Sequence, residues 1–373
     1  MKKVLSLILS LAILLSLLAG CGSSDNTSSI GSANTESTTS DLSSSVSNEQ
    51  ETSSKDTVSR LTDDQMAMSQ HLGNWVDKLD EINNAKNGKF TFAIQTDVHH
   101  YDTSAEYLGK NLAALSNFVD LKYIANLGDL IRGYSVNEID NPQNMRACLD
   151  DIVDRTINKT KCPVFMTVGN HDTNKMWCEK WSDHTEQFTP EEQLLRVYAP
   201  LKDHNGDKMI TDDDGSYYYI DYPEDNVRVI MLNTSNGTYN GSRYSNLFVI
   251  KEKQAEWFKN EALNTDYAVI VMSHVPLNPN FTIEATGETT SKVTNSNLIL
   301  DAVEEFVVNG GHFVAYLNGH EHEQIEYVDE NGRLYLSFKK GGKSGEVVMV
   351  DTINKTISTI GLGEAKNREV KYN

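Results

Sequence analysis

The feature that most constrains the fold is an alternation that begins at Lys89 and continues through most of the chain. Short runs of β-forming residues alternate with stretches whose apolar residues recur at helical spacing, which is typical of a layered α/β domain. Near the end of the chain this alternation stops. There, two β-forming runs flank Asn331-Gly332, and a second pair of runs follows, so the sequence predicts two terminal hairpins.

The pattern predicts individual elements. Strands are expected at 90–95, 123–127, 163–167, 217–221, 227–232, 269–272 and 313–317. Helices are expected at 104–119, 145–158, 252–263 and 297–308. A capping-box pattern at Thr62 predicts a further helix to about residue 84, with apolar positions that pack on the following domain.

Five polar clusters come directly after predicted strands. Open α/β sheets bind their ligands at that end of the strands. Taken singly, each cluster has a structural explanation, such as a core histidine or a turn. Their shared position favours a single site. In chain order the clusters are Asp97-Val98-His99, Gly128-Asp129, Gly169-Asn170-His171-Asp172, Ser273-His274 and Gly319-His320-Glu321-His322.

Together the clusters resemble the calcineurin-like metallophosphoesterase family, whose pattern is D-x-H, G-D, G-N-H-[ED], a lone His and G-H-x-H. The resemblance covers about residues 90–322, and every metal-ligand position is filled. It implies an α/β fold, a layered α/β/β/α sandwich of two mixed sheets flanked by helices. It also implies two divalent metal ions. One would be held by Asp97, His99 and His322, the other by Asn170, His274 and His320, with Asp129 bridging.

The residue types agree with that implication. A mixed nitrogen and oxygen ligand set suits Mn, Fe or Zn rather than Ca. In an extended segment, alternate side chains share a side, so His320 and His322 are expected to face one way, as are Asp97 and His99. Glycines beside the ligands are expected to permit tight turns.

The resemblance implies hydrolysis of phosphate esters by a metal-bridging hydroxide. His171 resembles the family's non-ligand histidine, which stabilises or protonates the leaving oxygen, and Asp172 would orient it; for Asp172 a helix cap is the alternative. Arg132 and His100 are candidate substrate contacts. Because Arg132 lies one residue closer to Asp129 than the arginine in related phosphatases, a surface role is its alternative.

The N-terminus predicts export and anchoring. Residues 4–18 form an apolar run after Lys2 and Lys3, too short to span a bilayer comfortably. The run ends in Leu18-Ala19-Gly20-Cys21, which resembles a bacterial lipoprotein box. We therefore expect a signal peptide at 1–20, a lipid on Cys21, and attachment to the outer face of the cytoplasmic membrane.

A Ser/Thr-rich tether at 21–58, an N-terminal helix at 59–87 and one catalytic domain at 88–373 complete the expected organisation. The chain carries 33 basic and 53 acidic residues, a net charge of −20, which argues against nucleic acid as a partner. A small-molecule phosphate ester or a cell-envelope substrate fits better, and a monomer is expected. Besides Cys21 there are Cys148, Cys162 and Cys178, and a disulfide between the last two is left open.

Two other classes of function compete with the phosphoesterase. One is a non-catalytic lipoprotein that binds a ligand and keeps a metal site for structure, although a degenerate site should have lost His171 or a ligand. The other is a metallohydrolase acting on a different bond, but the H-x-H-x-D-H cluster of β-lactamase-type zinc hydrolases is absent from the sequence. The substrate itself cannot be read from these patterns, because one fold hosts many substrates.

Overall fold

The computed structural model describes residues 74–136, 138–182, 186–212, 214–281 and 292–373. The predicted signal peptide, Cys21, the tether and the first part of the N-terminal helix lie outside these ranges. Among the described residues, every helix is too short or too polar to span a bilayer.

The first sheet has six strands, and its centre is parallel. Strands β1, β2 and β3 run parallel to one another. On the other side of β1, strands β11, β12 and β13 extend the sheet, each antiparallel to its neighbour. In order across the sheet the strands are β13 (Arg368–Lys371), β12 (Thr356–Gly363), β11 (Ser344–Asp351), β1 (Phe90–Gln95), β2 (Ile124–Asn126) and β3 (Val164–Met166).

The second sheet has seven strands and is also mixed. Its four central strands run parallel, and both edges are antiparallel. In order they are β4 (Ile210–Thr211), β5 (Tyr218–Tyr222), β6 (Val227–Met231), β7 (Ala268–Ser273), β8 (Phe313–Asn318), β10 (Leu334–Ser337) and β9 (Ile325–Val328).

Helices cover the outer faces. The longest, α3, begins at Pro142, whose missing N–H is harmless in the first turn, and Asn141 caps it by accepting a 3.0 Å hydrogen bond from Asn144 N. Within the described ranges the α-helices are α1 (Leu79–Ala85), α2 (Leu108–Asn111), α3 (Pro142–Lys159), α4 (Lys175–Trp181), α5 (Pro190–Gln193), α6 (Ala199–Asn205), α7 (Glu252–Trp257) and α8 (Ser296–Val308).

The main core lies between the two sheets. Phe92 of the first sheet and Met272 of the second belong to one buried cluster. Phe165 stacks on Tyr218 at a ring-centroid distance of 5.6 Å, and the Tyr218 hydroxyl bonds the backbone of Met166, which ties the sheets together. Separate buried clusters lie under α1 and α2 on one side and under α7 and α8 on the other. The predicted sandwich of two mixed sheets flanked by helices is confirmed.

Some predicted elements differ. The predicted helix at 104–119 forms only in part: α2 covers four residues, a 3₁₀ helix follows at Leu112–Asn117, and the segment before Leu108 is not helical. The reason is Lys110, whose buried ammonium binds the carbonyls of Thr103 and Ala105 at 2.6 and 2.8 Å and so holds the preceding segment out of a helix. The predicted helix at 252–263 ends its α-helical part at Trp257 and continues as a π turn.

Other details agree. The hairpin at Asn331-Gly332 forms between β9 and β10, and Gly332 adopts a φ of 78° that only glycine takes readily. The described end of the N-terminal helix packs as predicted, because Trp75, Leu79 and Ile82 are buried in the cluster under α1. Strands β4 and β13 were not predicted. Cys148, Cys162 and Cys178 are free thiols.

Candidate metal centre

The five polar clusters meet at one end of the sandwich. Asp97 follows β1, Asp129 follows β2 and Asn170 follows β3 in the first sheet, while His274 follows β7 and His320 follows β8 in the second. Because parallel strands end at the same edge of a sheet, the two sheets bring all five clusters together. The main-chain N–H of Gly319 donates a 2.9 Å hydrogen bond to His274 O, which joins the last two clusters.

The backbone turns sharply at this edge. Five of the seven predicted ligands have positive φ: Asp97 (52°), His99 (49°), Asp129 (49°), His320 (72°) and His322 (63°). The expectation that the D-x-H and H-x-H segments are extended is therefore wrong. The side chains of these five ligands converge because their backbones occupy the left-handed region, which Asp, Asn and His adopt more readily than most residues.

Two glycines are required by close approach. A Cβ on Gly169 would lie 2.1 Å from Asp129 Oδ1, and a Cβ on Gly319 would lie 1.9 Å from Thr96 Oγ1. Neither gap admits a carbon atom, so these glycines let the ligand loops touch. Gly128 is needed for its backbone conformation, because its φ of 97° forms the turn after β2.

One group of candidate ligands comprises Asp97, His99, Asp129 and His322, with ligand atoms all within 4.8 Å of one another. His322 Nε2 lies 3.1 Å from Asp97 Oδ1 and 3.2 Å from His99 Nε2. Asp97 Oδ2 accepts hydrogen bonds from Thr96 Oγ1 at 2.7 Å and from His320 N at 2.9 Å. These bonds fix the carboxylate so that Oδ1 faces the group.

A second group comprises Asp129, His274 and His320. His274 Nδ1 donates to Leu127 O at 2.8 Å, which leaves Nε2 to face Asp129 Oδ1 at 3.3 Å and Asn170 Oδ1 at 3.2 Å. A backbone carbonyl that fixes a histidine tautomer in this way is common behind metal-binding histidines. Asp129 belongs to both groups, because its Oδ2 lies 3.8 Å from His99 Nε2.

The electrostatics fit cation binding. Burial lowers the pKa of His99 to about 3 and that of His320 to about 4, so both imidazoles are neutral and offer a lone pair. Burial also disfavours charge on His274, but the Asp129 carboxylate outweighs it and raises the pKa of His274 to about 9. A metal ion would replace that proton. Imidazoles and two buried carboxylates are donor types that suit Mn, Fe or Zn.

His171 lies beside both groups without belonging to either. Its Nε2 lies 3.7 Å from Asp129 Oδ2, while its Nδ1 bonds the carbonyl of Arg132 at 2.5 Å. The predicted role of Asp172 in orienting His171 is wrong. The Asp172 carboxylate instead accepts from Ile131 N at 2.9 Å and Gly169 N at 2.7 Å, and so joins two ligand loops. Burial and then the nearby Asp129 charge raise the pKa of Asp172 to about 7.

The two candidate substrate contacts are engaged elsewhere. His100 is not placed to contact a substrate: it is fully buried, its Nε2 lies 2.7 Å from Asp151 Oδ2, and its Nδ1 bonds the Tyr107 hydroxyl. Arg132 is neither a free phosphate contact nor an unattached surface side chain. It forms a two-pronged ion pair with Asp140, at 2.7 Å for the closest pair of atoms, and its guanidinium lies 3.9 Å from the Tyr101 ring centroid.

Three neighbours were missed by the sequence reasoning. Tyr134 stacks on His99 at 5.4 Å between centroids and meets His171 edge-on at 4.7 Å. Phe248 meets His320 edge-on at 5.5 Å. The Lys340 ammonium lies 5.9 Å from the Tyr134 ring. Only Tyr134 had a sequence signal, since it lies in the same loop as Asp129.

Comparison with known proteins identifies the family. The sequence profile described as calcineurin-like phosphoesterase matches residues 90–324, most of the chain. The protein belongs to this family. A search of curated protein sequences returned no significant match.

This calcineurin-like phosphoesterase is similar to several solved structures. A dimetal phosphatase from Danio rerio superposes with a TM-score of 0.51 at 15% identity, covering 76% of this chain and 99% of that one. A 5'-nucleotidase from Candida albicans gives 0.40 at 17% identity, covering 70% and 47%. A putative 5'-nucleotidase from Staphylococcus aureus gives 0.42 at 15% identity, covering 76% and 54%. At 15% identity the likeness to the Danio rerio structure concerns the fold alone.

Proposed function

We propose that this protein hydrolyses phosphate esters with two divalent metal ions, outside the cytoplasm. The observation that carries the proposal is the position of Asp129. Its Oδ1 faces His274 at 3.3 Å and its Oδ2 faces His99 at 3.8 Å, so one buried carboxylate is shared by two groups of ligand atoms. A shared carboxylate is the arrangement that two-metal hydrolases need.

The residues divide into two sets. Asp97, His99 and His322 would hold one ion, Asn170, His274 and His320 would hold the other, and Asp129 would contribute to both sets. Bound there, such ions act as Lewis acids on phosphoryl oxygens and make water acidic enough to supply a nucleophile near neutral pH. Mn, Fe and Zn are the candidates.

His171 provides the proton for the leaving group. Because its Nδ1 is held by the Arg132 carbonyl, its Nε2 is the nitrogen that faces the centre, 3.7 Å from Asp129 Oδ2. When both of its ring nitrogens carry a proton, a histidine fixed in this way can pass the Nε2 proton to the oxygen that departs and keep the Nδ1 proton on the Arg132 carbonyl. Tyr134, packed against both His99 and His171, restricts how the two rings can move.

The location of the activity follows from the N-terminal sequence. We propose that residues 1–20 direct export, that Cys21 carries a lipid, and that the Ser/Thr-rich segment to residue 58 holds the domain away from the outer face of the cytoplasmic membrane. The substrate is then a phosphate ester available in the cell envelope or its surroundings.

The test is metal-dependent hydrolysis. The purified protein is stripped with a chelator and titrated with Mn, Fe or Zn while hydrolysis of nitrophenyl phosphate is followed. We expect activity to return as the second equivalent binds. Binding of two equivalents without hydrolysis of any monoester or diester would favour the non-catalytic binding lipoprotein. Full activity in the metal-free protein would refute the proposal.

A further inference from the structure

A cavity of about 370 Å³ opens beside His99. Part of its wall is apolar, formed by Val98 and by the rings of Tyr101 and Tyr107. Most of the rest is cationic, formed by Arg132, Lys339, Lys340 and Lys343, and Glu364 is the one carboxylate among the lining residues. Four positive side chains around one cavity are unexpected in a chain whose net charge is −20. The composition of the wall suits an anion attached to an apolar body.

Three of the four cations already have acidic partners. Arg132 pairs with Asp140, Lys339 lies 3.7 Å from Glu323, and Lys343 lies 3.7 Å from Glu364. Lys340 differs, because no residue in the described part of the chain forms an ion pair with it, although its side chain is half-buried. Partial burial of an unpaired charge is unfavourable unless a partner arrives.

Lys340 is fixed beside the candidate metal ligands. Its main-chain N–H donates to His322 O at 3.1 Å, and its ammonium lies 5.9 Å from the Tyr134 ring that stacks on His99. The carboxylates of Asp97 and Asp129 attract its charge. Two divalent ions bound at these ligands would more than offset the charge of the two carboxylates, so the Lys340 ammonium would be left to bind another anion.

We propose that the cavity receives the leaving group of the substrate and that Lys340 binds a second anionic group carried on it. The inference rests on the proposed function and narrows it. The substrate class is then phosphate esters whose leaving group has an apolar body and its own negative charge. The volume of the cavity fits a small ring or a short alkyl chain.

The experiment compares two nearly isosteric substrates, 4-carboxyphenyl phosphate and its neutral analogue 4-carbamoylphenyl phosphate. We expect the metal-loaded protein to have a higher kcat/KM for the carboxylate. Lys340→Met keeps the apolar stem and removes the charge, so it should reduce this preference about tenfold, because hydrogen bonds to charged groups are worth at least one decade in affinity. Lys340→Arg should restore most of it.

Lys259→Met is the matched control. Lys259 is an exposed lysine that pairs with Glu305 outside the cavity, so its replacement makes the same change in net charge and should leave the preference unchanged. Calorimetry with the two corresponding phosphonates, which are not hydrolysed, measures the same preference as affinity. It should fall in Lys340→Met in parallel with kcat/KM.

The outcomes separate the two proposals. If Lys340→Met keeps the wild-type preference for the carboxylate ester, the inference is overturned. It is also overturned if kcat/KM falls equally on both esters, because Lys340 then contacts the scissile phosphate. In both cases the proposed hydrolysis stands. If the metal-loaded wild type neither hydrolyses the esters nor binds the phosphonates, the proposed function itself fails.

Discussion

Replacing His171 by alanine tests the proton donor most directly. A general acid matters most when the leaving oxygen is a strong base. An alkoxide, whose conjugate acid has a pKa near that of water at about 15.7, needs a proton as the bond breaks. A nitrophenolate, more acidic than phenol at about 10, leaves without one. His171→Ala should therefore lose much more rate on alkyl phosphates than on nitrophenyl phosphate.

The size of the loss can be estimated. General acid–base assistance contributes about 10²–10⁴-fold, or roughly 3–5 kcal/mol at about 1.36 kcal/mol per decade. The structural cost is smaller, because the variant loses one hydrogen bond, from Nδ1 to Arg132 O, worth about 0.5–1.5 kcal/mol. Metal content should stay normal, since His171 belongs to neither ligand group.

The assay compares kcat/KM on the two ester types for wild type, His171→Ala and His171→Asn. The asparagine amide can still donate to Arg132 O but places no nitrogen where Nε2 lies, so it separates the structural from the catalytic contribution. His204→Ala, which removes a histidine bonded to Cys162 O, is the control. Equal losses on both ester types would show that His171 binds phosphate rather than protonating the leaving group.

Three further predictions concern metal binding, stability and anchoring. Asp129→Asn weakens both ligand groups and should abolish activity with loss of bound metal. Asp203→Asn changes an exposed residue and should leave activity and bound metal unchanged. Two bound ions measured in Asp129→Asn would contradict the proposed site. Asp172→Asn turns an amide N–H towards a backbone donor, so chemical denaturation should show a loss of about 1–3 kcal/mol in the free energy of unfolding. The ratio of kcat/KM on alkyl phosphates to that on nitrophenyl phosphate should stay as in the wild type. A change in this ratio like that of His171→Ala would show that Asp172 has a catalytic role. Cys21→Ser should release the protein from membranes, and an unchanged membrane fraction in cell fractionation would refute lipidation.

The strands were predictable because burial on both faces leaves nearly continuous apolar runs. β1 has the predicted bounds, and β2 and β3 begin and end within one residue of the expected positions. The prediction of a helix in the segment before α2 failed for a reason that the spacing of apolar residues cannot reveal. Lys110 reads as a surface residue of an amphipathic helix, but its ammonium is buried among carbonyls that a helix would have used.

The candidate site was predictable in membership but not in geometry. The positions of the polar clusters at the ends of predicted strands indicated which residues would lie together, because parallel strands end at the same edge of a sheet. The left-handed turns could not be predicted from the sequence. An extended segment, in which side chains alternate sides, and a left-handed turn both bring the side chains of residues i and i+2 together. Adjacent residues were equally ambiguous: His99 faces the centre, while His100 points the opposite way to Asp151. Lys340 comes from a distant loop and had no motif to mark it.

The left-handed backbone of five candidate ligands has a consequence for how this protein can change over time. A residue other than glycine in that region costs roughly 1–2 kcal/mol, less for Asp and His, so the five together weaken the fold by several kcal/mol. That is a sizeable part of the roughly 5–15 kcal/mol that holds a domain folded. A glycine at Asp97 or Asp129 would relieve this cost while removing a ligand. Stability alone therefore does not favour these left-handed residues, and what their backbone provides instead is the set of side chains that converge on the site.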